Sequence, residues 1–159
     1  MREFYMPIVF ARVDDRLIHG QIVQGWLPRM EVDEFVVIIN EADNLVKSLL
    51  RISLPSNYGL QILNNEDAVK YLKETDKKIF LLFSSLEDVD VVIRKGLGIK
   101  NLNVGGLHYR EGRNKVLTDV YLDEKEKQML KNFMIIGIKL DGRSVPKEPH
   151  NNLESLLCS

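Results

Sequence analysis

Short apolar runs alternate with amphipathic stretches almost to the end of the chain, the pattern of a β-sheet whose strands are joined by helical crossovers. Residues 7–13 (PIVFARV) predict a first strand, and 18–29 (IHGQIVQGWLPR) a helix ended near Pro28. Residues 34–40 (EFVVIIN) are nearly all apolar, as expected of a strand covered on both faces. A helix over 42–53 and a short strand over 59–63 follow. Asparagines of the capping type open an amphipathic run at 64–74, which predicts a helix. Residues 78–83 (KIFLLF) read as a strand, and 85–96 as a helix with Ser85 as N-cap and Gly96 near its end. Residues 102–106 (LNVGG) read as a strand running into a glycine turn, 114–122 fits neither period clearly, and 123–133 is helical. Residues 134–140 (MIIGIKL) predict the last strand, and 152–157 a short terminal helix.

No linker, repeat or low-complexity segment divides this pattern. The expected fold is therefore α/β: a single domain over 1–159, built on an open, twisted, mostly parallel β-sheet with helices on both faces. Met6 stands directly before the first strand, so residues 1–5 read as an extension outside the fold. Right-handed crossovers place ligands beyond the carboxyl ends of such strands. The segments to inspect are Asp14 to Gln21, Asn40 to Asp43, Ser84 and Ser85, Gly105 to Arg113, and Asp141 to Arg143.

Composition narrows the class. Hydrophobic residues make up 45% and charged residues 28%, with a net charge of −1. That balance argues against a broad basic surface for nucleic acid or membrane. The longest apolar runs are far too short to cross a bilayer, and the N-terminus lacks the features of a signal peptide. The single cysteine, Cys158, has no internal partner for a disulfide. A reduced, cytoplasmic protein is expected.

The richest chemistry follows the first strand. RVDDRLIHGQIVQGW (12–26) sets two carboxylates, two guanidiniums and an imidazole within eight residues. A helix start offers free backbone N–H groups and partial positive charge, which suit a phosphate. His19 would stand at that start, with Gly20 allowing close backbone approach. A histidine that accepts a phosphoryl group must be neutral and present a lone pair. The helix N-terminus, Arg16 and Arg12 all disfavour the imidazolium. Asp14 or Asp15 could hold the other ring N–H and so select the tautomer, as orienting acids do in hydrolytic triads. Arginine neutralises phosphate oxygens through bidentate contacts, and neither metal nor cofactor is called for. The same residues also fit a plain structural account, with Asp14 or Asp15 capping a helix, Arg12 pairing with them and His19 a satisfied, partly buried side chain.

DDRLIHGQIVQGW closely resembles the active-site segment of the enzyme IIB component of the mannose/fructose/sorbose family of bacterial sugar phosphotransferase systems (PTS). IFLLFSSLEDV (79–89), LNVGGLHYREGR (102–113) and IKLDGRSVPKE (138–148) fall in that family's order and spacing. The resemblance covers nearly the whole chain from Met6. It implies that His19 is the phosphorylated residue, charged in trans by a phosphohistidine of a IIA protein. It also implies that the acceptor is a sugar (mannose, fructose, sorbose or an amino sugar) bound by membrane partners IIC and IID, with which this chain would associate peripherally. Arg16 and Arg12 are then expected to hold the phosphoryl group or the docking partner, and Asp14 or Asp15 to orient the ring. The family is described as using Nδ1 of the histidine.

Secondary candidates surround that centre. Gly105 and Gly106 would bring backbone close to the same pocket, with His108 beside it. Ser84 and Ser85 stand where α/β sites place a phosphate-contacting hydroxyl, and Ser85 fits a helix cap equally well. Trp26 reads as core or interface packing, Arg143 as part of a basic docking rim, and His150 as an exposed tail residue. Edge strands and the C-terminal tail leave room for a homodimer. A two-component receiver domain is the main rival, with Asp14-Asp15 as an acidic pair, Ser84 as its hydroxyl and Lys139 as its lysine. It lacks an aspartate near Leu63-Asn64, where a receiver accepts phosphate. A nucleotide-binding enzyme is weaker still, since no glycine-rich phosphate loop is present.

Overall fold

The computed structural model describes residues 7–151 and 153–158. The expected extension at 1–5 and the first residue of the predicted terminal helix lie outside the described residues. Six strands form one parallel sheet: β1 (Ile8–Asp14), β2 (Glu34–Ile38), β3 (Gly59–Leu63), β4 (Ile79–Phe83), β5 (Asn101–Gly106) and, last in the chain, β8 (Lys139–Asp141). Their order is β3-β2-β4-β1-β5-β8, and every pair in the sheet is parallel. The ambiguous segment at 114–122 is a small antiparallel hairpin, β6 (Asn114–Leu117) with β7 (Val120–Leu122).

Alternation along the central strands supplies two cores. Phe35 and Val37 of β2 and Phe80 and Leu82 of β4 face one layer, where they meet Ile22, Trp26, Leu27, Leu50 and Leu54. That layer holds a six-residue π-helix (Gln21–Trp26), a 3₁₀ turn (Leu27–Arg29) and helix α1 (Asn44–Ser53). Val36, Ile38, Leu81 and Phe83 point the other way, toward α2 (Asn65–Glu74), α3 (Leu86–Arg94), α4 (Glu124–Ile135) and α5 (Leu153–Cys158). Asp43, Asn64, Ser85 and Asp123 cap α1 to α4, each accepting from the backbone N–H three residues on. Ser85 thus takes its capping reading. No described helix is long and apolar enough to cross a membrane.

Three local expectations are corrected. The strand predicted over 134–140 starts only at Lys139, because α4 runs on through Ile135. Gly137 (φ +98°) ends that helix, its N–H meeting the Met134 carbonyl and that of Ile138 the Phe133 carbonyl. This is the paired closure of a Schellman motif, and the β-like run Met134-Ile135-Ile136 is the last turn of a helix. The helix expected over 18–29 starts later, with Gly20 as N-cap, and is a π-helix followed by a 3₁₀ turn. Gly105 and Gly106 form no turn; both belong to β5.

The topology also separates this fold from a receiver, whose doubly wound sheet runs 2-1-3-4-5. Here Lys139 opens β8. In a parallel sheet that puts it at the amino edge, opposite the carboxyl edge where Asp14 ends β1.

Candidate functional site

Period-two geometry brings the first pieces together. Phe10, Arg12 and Asp14 share one face of β1, the face on which Phe10 packs against Trp26 with ring centroids 4.7 Å apart. Arg12 and Asp14 are both completely buried. The Arg12 guanidinium turns back on Asp14, donating from Nε (3.2 Å) and Nη2 (2.8 Å) to Oδ2. Its Nη1 donates to Asn103 Oδ1 (2.9 Å) and to the Ser144 carbonyl (2.8 Å). Arg12 therefore has its fork occupied by protein and lies beneath the surface, where a direct grip on a docking partner is closed to it.

Two glycines make room for this pair. On β5, Val104 is in register with Val13 but Gly106 with Asp14, so Gly105 is an extra residue, a β-bulge. A Cβ at Gly105 would sit 2.1 Å from Cζ and Nη1 of Arg12, and one at Gly106 2.7 Å from Oδ1 of Asp14. A buried ion pair fills the volume that two side chains would have taken. Gly20 differs: among the described residues the nearest contact of a Cβ there would be Gln24 Oε1 at 4.0 Å.

Beyond β1 the chain reverses tightly. The Leu17 N–H donates to the Asp14 carbonyl (3.0 Å) and the Arg16 N–H to Asp14 Oδ1 (3.0 Å). Leu17 takes a left-handed conformation, φ +59°, which costs a branched residue about 1 kcal/mol. The reversal returns His19 over the carboxylate, and its Nε2 lies 2.6 Å from Asp14 Oδ2. The ring keeps 18% of its surface exposed while Asp14 keeps none. Its carbonyl then receives the N–H groups of Ile22 and Val23, opening the π-helix.

Burial pushes the Asp14 carboxyl up. The hydrogen bond to His19, the charge and hydrogen bonds of Arg12 and the Arg16 N–H outweigh it and hold the group at about 2, below its ordinary 3.8. Asp14 is thus an ionised acceptor at neutral pH. Arg12 moves down from its ordinary value, because burial exceeds the opposing attraction of Asp14. Arg16 stands at the surface, its Nη2 donating to Gln21 Oε1 (2.6 Å) and its Nε 3.5 Å from Asp14 Oδ1.

The choice left open between the two aspartates is resolved by position: Asp14 meets His19, and Asp15 turns outward. Asp15 accepts from Nδ1 (2.6 Å) and the backbone N–H (2.8 Å) of His108. Arg113 lies 3.8 Å from the same carboxylate, while donating to the His108 carbonyl and forming a two-pronged pair with Glu126. His108 is thereby attached to the loop that bears His19, although its ring faces Asp15. Ser84 follows Phe83, the register partner of Val13, and so stands beside Asp14 at the same sheet edge.

The sequence reading gave Asn103 and Ser144 no individual role, and Arg113 entered it only as the end of the segment from Gly105. Asn103 carried a faint signal, a polar residue within an apolar strand two positions before Gly105. Ser144 contributes a backbone carbonyl, which sequence does not advertise. That carbonyl also accepts the Trp26 indole N–H (2.8 Å), and Arg143 lies over the Trp26 ring at 5.4 Å.

A groove of about 380 Å³ starts at Gly20, the residue after His19, and is lined by Gln24 and Arg29 and by Val145, Pro146 and Lys147; His19 itself is not in its lining. The larger cavity, about 620 Å³, lies between β1, β5 and β8, and His19 does not line it.

Comparison with known proteins places this geometry in a family. Residues 8–159 match the family described as "PTS system sorbose subfamily IIB component". The chain is 31% identical over 153 residues to a sorbose-specific EIIB component of Klebsiella pneumoniae, covering 93% of each. It is 32% identical over 158 residues to the mannose-specific EIIAB component of Escherichia coli K12, with 96% of this chain and 49% of that protein covered. The chain thus spans about half the length of the mannose-specific relatives it matches. Among solved structures, the IIBSor domain of the Klebsiella pneumoniae sorbose permease superposes with a TM-score of 0.87 at 30% identity, covering 95% and 96% of the two chains. The structure titled manxB, from Thermoanaerobacter tengcongensis, gives 0.88 at 27% identity, covering 96% and 95%.

Proposed function

The chain belongs to the sorbose-subfamily IIB components of the phosphotransferase system, and from that premise we propose that His19 is the residue on which it carries the phosphoryl group. IIB components are phosphocarriers that work with IIA and with membrane IIC and IID partners. The observation that carries the residue assignment is the 2.6 Å contact between His19 Nε2 and Asp14 Oδ2. An ionised carboxylate has no proton to give, so Nε2 bears the hydrogen and donates it. In the neutral ring Nδ1 then holds the lone pair, on the side not occupied by Asp14. The nucleophile is oriented before any partner arrives.

Phosphoryl transfer has a loose transition state, and positioning with charge neutralisation supplies most of the catalysis. As the donor's N–P bond breaks, a bond forms from phosphorus to Nδ1 of His19, and the donor ring recovers its lone pair. The positive charge that develops on the His19 ring is balanced by Asp14. Arg16, exposed and within 3.5 Å of Asp14, neutralises the phosphoryl oxygens. Onward transfer breaks the N–P bond, whose electron pair returns to Nδ1, and joins phosphorus to a sugar oxygen, whose hydroxyl proton passes to water.

The donor is a IIA phosphohistidine, docking across the groove between Gly20 and Lys147, where Arg29 and Lys147 supply positive charge. The sugar comes from the class named in the relatives (mannose, sorbose, fructose or N-acetylgalactosamine). The test is phosphorylation by phospho-IIA. The wild type gains an adduct that is labile in acid and stable in alkali, and His19→Ala gains none. Normal labelling of His19→Ala would refute the assignment.

A further inference from the structure

Asn103 is 3% exposed and stands on β5 opposite Arg12. Its amide is used in both directions. Oδ1 accepts from Arg12 Nη1 at 2.9 Å, and Nδ2 donates to the carbonyls of Asp141 (3.2 Å) and Arg143 (2.9 Å). The loop held by those two bonds presents the Ser144 carbonyl to the same Arg12 Nη1 at 2.8 Å. One side chain thus supplies one acceptor for the guanidinium directly and sets the second by fixing the loop.

The consequence follows from the geometry of guanidinium. Its donors lie in one plane, so fixing Nη1 on two acceptors fixes where Nε and Nη2 point, and both point at Asp14 Oδ2. That oxygen is also the one His19 contacts. We infer that Asn103 is a positioning residue for phosphoryl transfer, acting through Arg12 and Asp14 to hold the His19 ring in the orientation and tautomer that leave Nδ1 free. The inference rests on the proposed role of His19. Asn103 is itself buried, but the loop it holds runs on to Val145–Lys147 of the proposed docking groove, so the tautomer of His19 rather than KM reads the path through Arg12.

The experiment joins ring ¹⁵N NMR of the unphosphorylated protein to kinetics of acceptance from phospho-IIA. In the wild type, the His19 shifts are first read for the Nε2–H tautomer. Its absence there would sink the reading of Asp14 itself, and with it the premise. Given that tautomer, Asn103→Leu, near in volume and without polar atoms, is expected to mix in the Nδ1–H form. It should also lower kcat by roughly tenfold or more. A folded Asn103→Leu with the wild-type tautomer and kcat overturns the inference while leaving His19 as the carrier. Should Asn103→Leu fail to fold, Asn103→Ser decides, since its short hydroxyl cannot replace both the acceptor toward Arg12 and the donors to the loop. Mixing of the Nδ1–H form in folded Asn103→Ser supports the inference, and retention of the pure Nε2–H tautomer overturns it.

Discussion

Arg12 and His19 converge on a single atom, Oδ2 of Asp14, at 2.8 and 2.6 Å. The guanidinium approaches from inside the molecule and the imidazole from its surface. A buried negative charge is thus held by a buried positive one and offered to a ring that partners can reach. A carboxylate alone in that position would be driven toward protonation by burial. With Arg12 beneath it, it stays charged and acts as an acceptor.

Removing the charge of Asp14 is expected to cost both stability and rate. Asp14→Asn leaves the Arg12 guanidinium buried without its counter-ion, which destabilises by about 3 kcal/mol. It also lets the His19 ring turn, and acceptance from phospho-IIA falls by roughly a hundredfold. Urea unfolding and single-turnover labelling measure the two effects separately.

The same group gives a signed pH dependence. Its folded value, about 2, lies below its ordinary 3.8. The stabilisation is therefore complete above the ordinary value and is lost as pH falls through about 2, a change of about 2 kcal/mol. Urea midpoints followed from pH 5 downward should fall more steeply in the wild type than in Asp14→Asn over that interval. Parallel curves would contradict the coupling.

The two glycines of β5 should tolerate no side chain. Gly105→Ala puts a methyl within 2.1 Å of the Arg12 guanidinium, and Gly106→Ala puts one within 2.7 Å of the Asp14 carboxylate. Each must displace the ion pair or the strand, and a loss of about 2 kcal/mol is expected, within the range for overpacked cores. Gly20→Ala, whose Cβ would come no nearer than 4.0 Å to Gln24 Oε1, should leave the melting temperature unchanged. Thermal melts of the three variants test the contrast.

Arg16→Lys should separate catalysis from folding. The residue is exposed, and lysine keeps its charge while losing the planar fork. Phosphoryl acceptance is expected to slow by roughly tenfold, about 1.4 kcal/mol of barrier, with no change in melting temperature. Stopped-flow labelling beside a thermal melt reads both.

Much of this was legible in the chain itself. Short apolar runs such as FVVII and IFLLF announced buried parallel strands, and strand alternation places Arg12 and Asp14 on one face. Asp14 and Asp15 stayed open in the sequence, because the predicted strand stopped at residue 13; the structure carries β1 on through Asp14, on the face of Phe10, and ends it before Asp15. Other features depend on partners distant in sequence. Asn103 reaches Arg12 across 91 positions, and the Ser144 contribution is a backbone carbonyl that any residue could provide. The Met134-Ile135-Ile136 run has strand-like composition, yet left-handed Gly137 closes it as a helix end. Gly105-Gly106 suggested a turn, because glycine in a strand interior is uncommon unless another group needs the space. Here that group is a guanidinium.

The central claim concerns one nitrogen atom. Heteronuclear ³¹P–¹⁵N correlation on the phosphorylated protein, with ring nitrogens labelled, identifies the atom bonded to phosphorus. The account predicts coupling to Nδ1 of His19, with Nε2 still carrying its proton toward Asp14. Phosphorus on Nε2, or on any residue other than His19, would contradict it.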